Sequence, residues 1–309
     1  MSNHLKRYLL AGGHMRVQAV RLEEAWQTGM AHQKTLPPVV RTLLGELTAA
    51  ATLLAASLKF DGSVILQIQG DGPVALLVAE CSATLSLRAT ATLRDNASVP
   101  ADADFQSLLN AHGQGRFMLV LDPHDKSGGQ QAWQGIVPLE GEGVAQALEQ
   151  YMLASEQLGT RMWLAADEQT CAGLMLQRLP GHGGNVGSGT GRSDADDWET
   201  QVQLLRTVTP RELLDTDIDT LIHRLLWSQD CIALDADRPR WHCPCTRSRV
   251  ADMLRMLGRD EVNDIVREQG SVQVQCHFCG KPYRFDALES SGLFTDIAGN
   301  ASGRGHTLH

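Results

Sequence analysis

The sequence predicts an α+β fold: a mainly antiparallel N-terminal α+β domain, a helical linker region and a small C-terminal zinc-binding module. Three observations carry this. Strand-like runs joined by short turns, with few helices between them, occupy the chain as far as Arg178. A Gly/Ser-rich stretch then breaks the pattern. Beyond it, four of the seven cysteines fall between Trp241 and Phe285, as Cys243-Pro244-Cys245 and Cys276-His277-Phe278-Cys279.

Taken in order, Arg16 to Val20 alternates like a strand, and residues 21–34 read as a helix ending near Pro37-Pro38. Val39 to Leu58 is the longest helical signal, rich in Leu and Ala, and must be buried on most sides. Glu46 is its one acid and is expected to pair with Arg41 or to reach the rim. Ser63–Gln69, Val74–Glu80 and Ala83–Leu93 read as strands, the first two joined by the turn Gly70-Asp71-Gly72-Pro73. Arg116–Leu121 and Gln131–Val137 add two more. Ala145–Ser155 is helical, and Thr160–Ala166 and Ala172–Arg178 are strand-like. The whole of 1–180 is expected to form one domain. It holds no nucleophile elbow, P-loop or dinucleotide fingerprint. The isolated His14, His112, Cys81 and Cys171 read as packing or surface residues.

Residues 181–197 read as a flexible linker, whose glycines match no phosphate-binding pattern. Residues 198–236 follow as a short helical linker segment. Thr209-Pro210-Arg211-Glu212 is a capping box with proline at the first helical position. Thr216 to Trp227 places Ile218, Leu221, Ile222, Leu225 and Leu226 on one face, and Cys231 ends the segment as a small buried side chain. Helices this short need a packing partner.

Residues 237–290 form the cysteine module, with helices over Arg247–Leu257 and Asp260–Glu268 and strands at Val272–Gln275 and Tyr283–Phe285. Thirty residues, 246–275, separate the two cysteine pairs. Four thiolates complete a closed tetrahedral Zn²⁺ shell, so Cys243, Cys245, Cys276 and Cys279 are the expected ligands of one zinc ion. His242 and His277 flank the ligands. A static structural zinc satisfies these residues. So does a redox site, because a C-x-C pair can close as a strained, labile disulfide. Residues 291–309 read as a disordered tail.

Composition excludes several classes. The chain has 309 residues, 43% hydrophobic and 20% charged, with net charge −9. Residues 237–290 carry nine Lys/Arg against eight Asp/Glu, leaving the remainder at −10. Neither part offers the basic face that nucleic acid requires. No signal peptide and no run of 18 or more apolar residues is present, so a cytoplasmic protein without a membrane span is expected. Reduced thiols fit that compartment.

The chain resembles the redox-regulated heat-shock protein 33 (33 kDa chaperonin) family of holdase chaperones. The resemblance rests on Cys243-Pro-Cys245 and Cys276-His-Phe-Cys279 at this spacing, followed by Tyr283-Arg-Phe285. Leu58-Lys-Phe-Asp-Gly62 running into Gln69-Gly-Asp-Gly-Pro73, and Ser155-Glu-Gln-Leu158 with Thr160-Arg161, support it. The Gly/Ser stretch at 181–193 looks like an insertion. The resemblance implies no enzyme. It implies a chaperone that is inactive when reduced with one zinc per chain. On oxidation it would release the metal, close disulfides Cys243–Cys245 and Cys276–Cys279, partly unfold, dimerise and bind unfolding client proteins. The faces of Leu221, Leu225, Leu226 and Trp227 would then be exposed to clients. Two other readings predict different behaviour. A zinc-ribbon adaptor or nucleic-acid binder would keep its metal under oxidant. A thiol–disulfide oxidoreductase would place Cys276 and Cys279 at a helix N-terminus beside a βαβ unit.

Overall fold

A computed structural model describes residues 3–10, 13–125, 131–179 and 194–294, and the chain falls into two units, Met1–His242 and Cys243–His309. The first unit opens with β1 (His4–Leu10), β2 (Met15–Leu22), α1 (Glu24–Met30) and α2 (Pro38–Ser57). Then come β3 (Gly62–Gln69), β4 (Val74–Ser82), β5 (Ser86–Leu93), α3 (Phe105–Leu109), β6 (Arg116–Pro123) and β7 (Trp133–Val137). It continues with α4 (Val144–Ser155), β8 (Thr160–Ala166) and β9 (Cys171–Arg178). After these come α5 (Asp194–Leu205), α6 (Pro210–Asp215), α7 (Ile218–Leu226), β10 (Cys231–Asp237) and β11 (Arg240–Trp241). The second unit holds α8 (Arg247–Leu257), α9 (Arg259–Gln269), β12 (Ser271–Gln275), β13 (Pro282–Asp286) and α10 (Ala287–Gly292).

Two sheets form the first unit, in the orders β10-β1-β2-β9-β8 and β11-β5-β4-β3-β6-β7. Among the described residues every pairing is antiparallel except the two-residue pairing of β11 with β5. The apolar helix α2 packs against strands of both sheets. By length and composition α2 is apolar enough to cross a membrane, but 72% of its most apolar 18-residue window is buried inside the protein, as befits a core helix.

Strand alternation divides the five-stranded sheet between two cores. Leu5, Val20, Leu22, Cys171 and Met175 point into the main core with α2. Tyr8, Leu10, Met15, Val17, Ala19, Ala172, Leu174 and Leu176 point the other way, where Leu205, Val208, Leu213, Ile218, Leu221, Ile222 and Leu226 cover them. The helices α5 to α7 therefore lie on a sheet face that would otherwise be apolar and wet. Their ends are well made. Thr209 and Glu212 form the expected capping box at α6, and Asp217 caps α7 by accepting from the Thr220 amide.

Several expectations need correction. Glu46 does not pair with Arg41. Arg41 faces Glu168 at 3.5 Å and donates to the carbonyls of Lys34 and Leu36. Sequence patterning missed β1, because its Lys6 and Arg7 blur the alternation, and their partners Asp219 and Asp237 lie more than 200 residues away. The helix expected over 21–34 is confined to α1, and Gln33 instead bridges the sheet: its amide donates to the Ala89 carbonyl and its oxygen accepts from the Ala91 amide.

The segment 198–236 does not stay helical. It ends as β10, which adds to the edge of β1. The expected linker at 181–197 lies outside the described residues up to 193, and from Asp194 the chain is helical, with Trp198 stacked beneath the Arg178 guanidinium at 4.8 Å. Trp241 belongs to the first unit, where it pairs with Leu87 and packs its ring against Gly29. The expected tail lies outside the described residues from 295 onward. Before that, Leu293 and Phe294 are buried in the module core.

Candidate metal centre

The module core is small: Ala251, Leu254, Val262, Val272, Tyr283, Phe285, Leu293 and Phe294. Around it the chain makes two cysteine-bearing turns. Cys243 and Cys245 sit in the loop that enters α8, whose N-terminus is capped by the Thr246 hydroxyl accepting from the Arg249 amide. Arg249 also donates to the Pro244 carbonyl at 3.2 Å, which ties the C-x-C loop to the helix.

Cys276 and Cys279 sit in the turn between β12 and β13. The Cys276 amide donates to the Lys281 carbonyl at 3.0 Å, and the Gly280 amide donates back to the Cys276 carbonyl at 2.8 Å. Gly280 takes φ +67°, the left-handed region where glycine is preferred, so this turn needs the glycine that follows the motif. The Gln275 side chain donates to the Gly280 carbonyl and braces the same turn.

These loops bring the four sulfurs together, all within 4.8 Å of one another. Cys243 Sγ lies 3.7 Å from Cys276 Sγ, and Cys245 Sγ lies 3.3 Å from Cys279 Sγ. A tetrahedral zinc with sulfur at about 2.3 Å needs sulfurs about 3.8 Å apart, so the cluster has the dimensions of a Zn-thiolate shell. All four residues are partly buried and none is in a disulfide. The converging donors are the four cysteine sulfurs, with no histidine among them. Cys276 and Cys279 lie in a turn between two strands and do not open a helix, unlike the arrangement expected of an oxidoreductase.

One neighbour escaped the sequence reading. The Tyr283 ring is buried on β13, and its hydroxyl donates to Cys245 Sγ at 3.1 Å. Alternation along Tyr283-Arg284-Phe285 is the signal that could have found it, since Tyr283 and Phe285 share the inward face. Within the thiol cluster, burial pushes Cys243 up to about 12. Against the same upward push of burial, the Tyr283 hydroxyl and the neighbouring thiols bring Cys245 down to about 7. The hydrogen bond to Cys245 raises Tyr283 itself to about 12.

The other cysteines differ. Cys81 and Cys171 are fully buried in the first unit, and burial raises both thiols, Cys81 to about 12. Cys231 begins β10 and packs on the second core. Of the four linker residues singled out from sequence, Leu221 and Leu226 are buried, Leu225 is partly buried against them, and Trp227 is 76% exposed.

Residues 3–286 match the sequence profile of the Hsp33 protein family. The chain belongs to the Hsp33 family. It is 42% identical over 299 residues to the 33 kDa chaperonin of Chromobacterium violaceum, covering 95% of each chain. It is 40% identical over 297 residues to the 33 kDa chaperonin of Methylobacillus flagellatus, covering 96% of this chain and 95% of that one. The crystal structure of the 33 kDa chaperonin (heat shock protein 33 homolog) of Thermotoga maritima superposes with TM-score 0.77 at 19% identity, covering 96% of this chain and 99% of that one. At that identity the likeness speaks for the fold. These Hsp33 relatives are named chaperonins, not enzymes.

Proposed function

We propose that the chain is a redox-regulated holdase: closed when its four module cysteines are reduced and metal-bound, and able to hold unfolding proteins after those cysteines are oxidised. The observation that carries this is the convergence of four sulfurs in a module whose own apolar core has only eight buried side chains among the described residues. So small a core leaves the module dependent on its cross-link.

When bound, zinc joins the four thiolates and holds them deprotonated, the form that oxidants attack. Cys243, Cys245, Cys276 and Cys279 would hold it. Each pair of thiolates then reacts with one hydrogen peroxide and two protons to give one disulfide and two waters. Two electrons pass from sulfur to oxygen. Sulfurs paired as disulfides are no longer four thiolate ligands, and the module loses its cross-link. In the closed cluster sulfurs touch across the two motifs, Cys243 with Cys276 and Cys245 with Cys279. Once the module opens, loop closure favours the neighbours in sequence, Cys243–Cys245 and Cys276–Cys279, because a cross pair must close a loop of over thirty residues.

Opening of the module then frees the segment 198–236. Leu221, Leu225 and Leu226 lose their cover and join Trp227 at the surface, and Tyr8, Leu10, Val17 and Leu174 on the sheet lose theirs. Such a patch suits unfolding client polypeptides and needs no catalytic group. The active form is a homodimer, acting in the cytoplasm without nucleic acid or membrane.

The test is one titration with two readouts. Reduced protein is treated with peroxide while zinc release and suppression of aggregation of a heat-denatured protein are followed together. About one zinc per chain should leave, and suppression should appear in parallel. Zinc retained under oxidant, or equal suppression before and after, would make the site a static structural one and sink the proposal.

A further inference from the structure

The edge of the five-stranded sheet has an uncommon construction. Its outermost strand, β10, is almost bare of side-chain packing. Ile232 and Leu234 are 61% and 45% exposed, every residue from Ile232 to Ala236 is exposed, and only the ends, Cys231 and Asp237, are partly covered. What holds β10 is its backbone pairing to β1, from Leu10↔Cys231 to Leu5↔Asp237, helped by the Arg7–Asp237 ion pair.

The outer strand is also irregular. Between Lys6↔Ala236 and Tyr8↔Ala233 it carries an extra residue, and Asp235 and Asp237 add charge. A bulge and charges are devices that keep an edge from recruiting another chain. The strand beneath carries charge of its own, at Lys6 and Arg7, but no irregularity on its inner side. β1 pairs with β2 in unbroken register from His4↔Arg21 to Leu9↔Arg16. A blunted edge strand therefore covers a regular one.

We propose that β1 is a strand-addition site for clients: when the segment ending in β10 is released, an extended stretch of unfolded polypeptide pairs with the freed edge of β1 in its place. This rests on the oxidation-dependent release set out above. The present occupant argues for the kind of partner. β10 engages the edge through its backbone and leaves its side chains in solvent, so the position selects extended main chain and tolerates varied sequence. That is the chemistry shared by all unfolded proteins. Lys6 and Arg7 lose Asp219 and Asp237 when the segment leaves, and two uncovered cations favour client stretches carrying carboxylates.

Amide hydrogen exchange of the full-length protein tests this. In an antiparallel sheet alternate β1 amides face β10 and the others face β2. Oxidation should lower the protection of the β10-facing amides by about tenfold or more, while the β2-facing amides stay protected. Adding reduced, carboxymethylated lactalbumin, which is permanently unfolded, should restore the lost protection. If the β10-facing amides never lose protection, or lose it and the probe does not restore it, the site is not on β1. A covalent lock gives a second readout. Leu9 and Ile232 are direct partners, so Leu9→Cys with Ile232→Cys, in a Cys231→Ser background, pins β10 in place on oxidation. The locked protein should release zinc normally and bind lactalbumin at least about tenfold more weakly than the Leu9→Cys, Cys231→Ser control. Equal binding would overturn strand addition. Failure of the control itself to release zinc or bind would instead count against the oxidative switch on which the inference rests.

Discussion

Glu46 lies on α2, partly buried, with no ion pair among the described residues. Burial without a compensating charge pushes its carboxyl from 4.5 to about 7. A carboxyl raised in the folded state binds its proton more tightly folded than unfolded. Its cost is therefore absent at low pH and grows as pH rises from about 4.5 to about 7. Glu46→Gln should thus be close to neutral at pH 4.5 and stabilise the first unit by roughly 2 kcal/mol at pH 8. Denaturant titrations at the two pH values, variant against parent, check the sign; a variant less stable at pH 8 would show that Glu46 has a stabilising partner when charged. The sequence marked Glu46 as the one acid of an apolar helix, but its expected partner Arg41 is engaged elsewhere. Competition for Arg41 by Glu168 is a tertiary fact, invisible in a local window.

At the scale of elements, the module is closed by its last turn. The helix α10 carries a second capping box, Asp286 with Glu289, and delivers Leu293 and Phe294 into the core. Two arginines hold this end: Arg255 donates to the Leu293 carbonyl and Arg259 to the Phe294 carbonyl, the latter also lying 5.4 Å from the Phe294 ring centre. Phe294→Ala should destabilise the module by roughly 3 kcal/mol, the usual cost of emptying a buried aromatic site. Leu288→Ala, at a residue 82% exposed, should change little. Zinc release at a fixed, low peroxide dose reads the difference: faster for the first variant, unchanged for the second. The Gly/Ser-rich composition places Ser291 and Gly292 in the tail on sequence alone, but α10 runs to Gly292 and the two apolar residues beyond it have a core to enter.

For the whole molecule, the two units differ in what they rest on. The first has a continuous core from Leu5 to Met175 built on α2 and two sheets, and a second core beneath α5 to α7. The module has its few buried side chains and the four sulfurs. Removing metal from reduced protein with a chelator should therefore erase a small thermal transition and leave a main one that persists but is lowered by the lost cover of the second core. Differential scanning calorimetry with and without chelator makes the comparison. A single cooperative transition that shifts as a whole would mean that the units unfold together.

The sequence alone determined what is local or strictly spaced. The cysteine quartet, the Gly280 turn, the α6 capping box, the apolar α2 and most of the alternating strands were legible, because each is set by contacts within a few residues or by a ligand shell of known size. What only the tertiary structure decided is what becomes of segments whose partners are remote. Lys6 and Arg7 become strand residues because carboxylates more than 200 positions later neutralise them. Residues 231–237 become a strand because β1 offers an open edge, although nothing in their own side chains is buried enough to require it. Tyr283 becomes a donor to Cys245 only when β13 is folded against the C-x-C loop. Backbone pairing and desolvation act between whichever groups the fold brings together, and a one-dimensional pattern carries that information only when those groups are close in sequence.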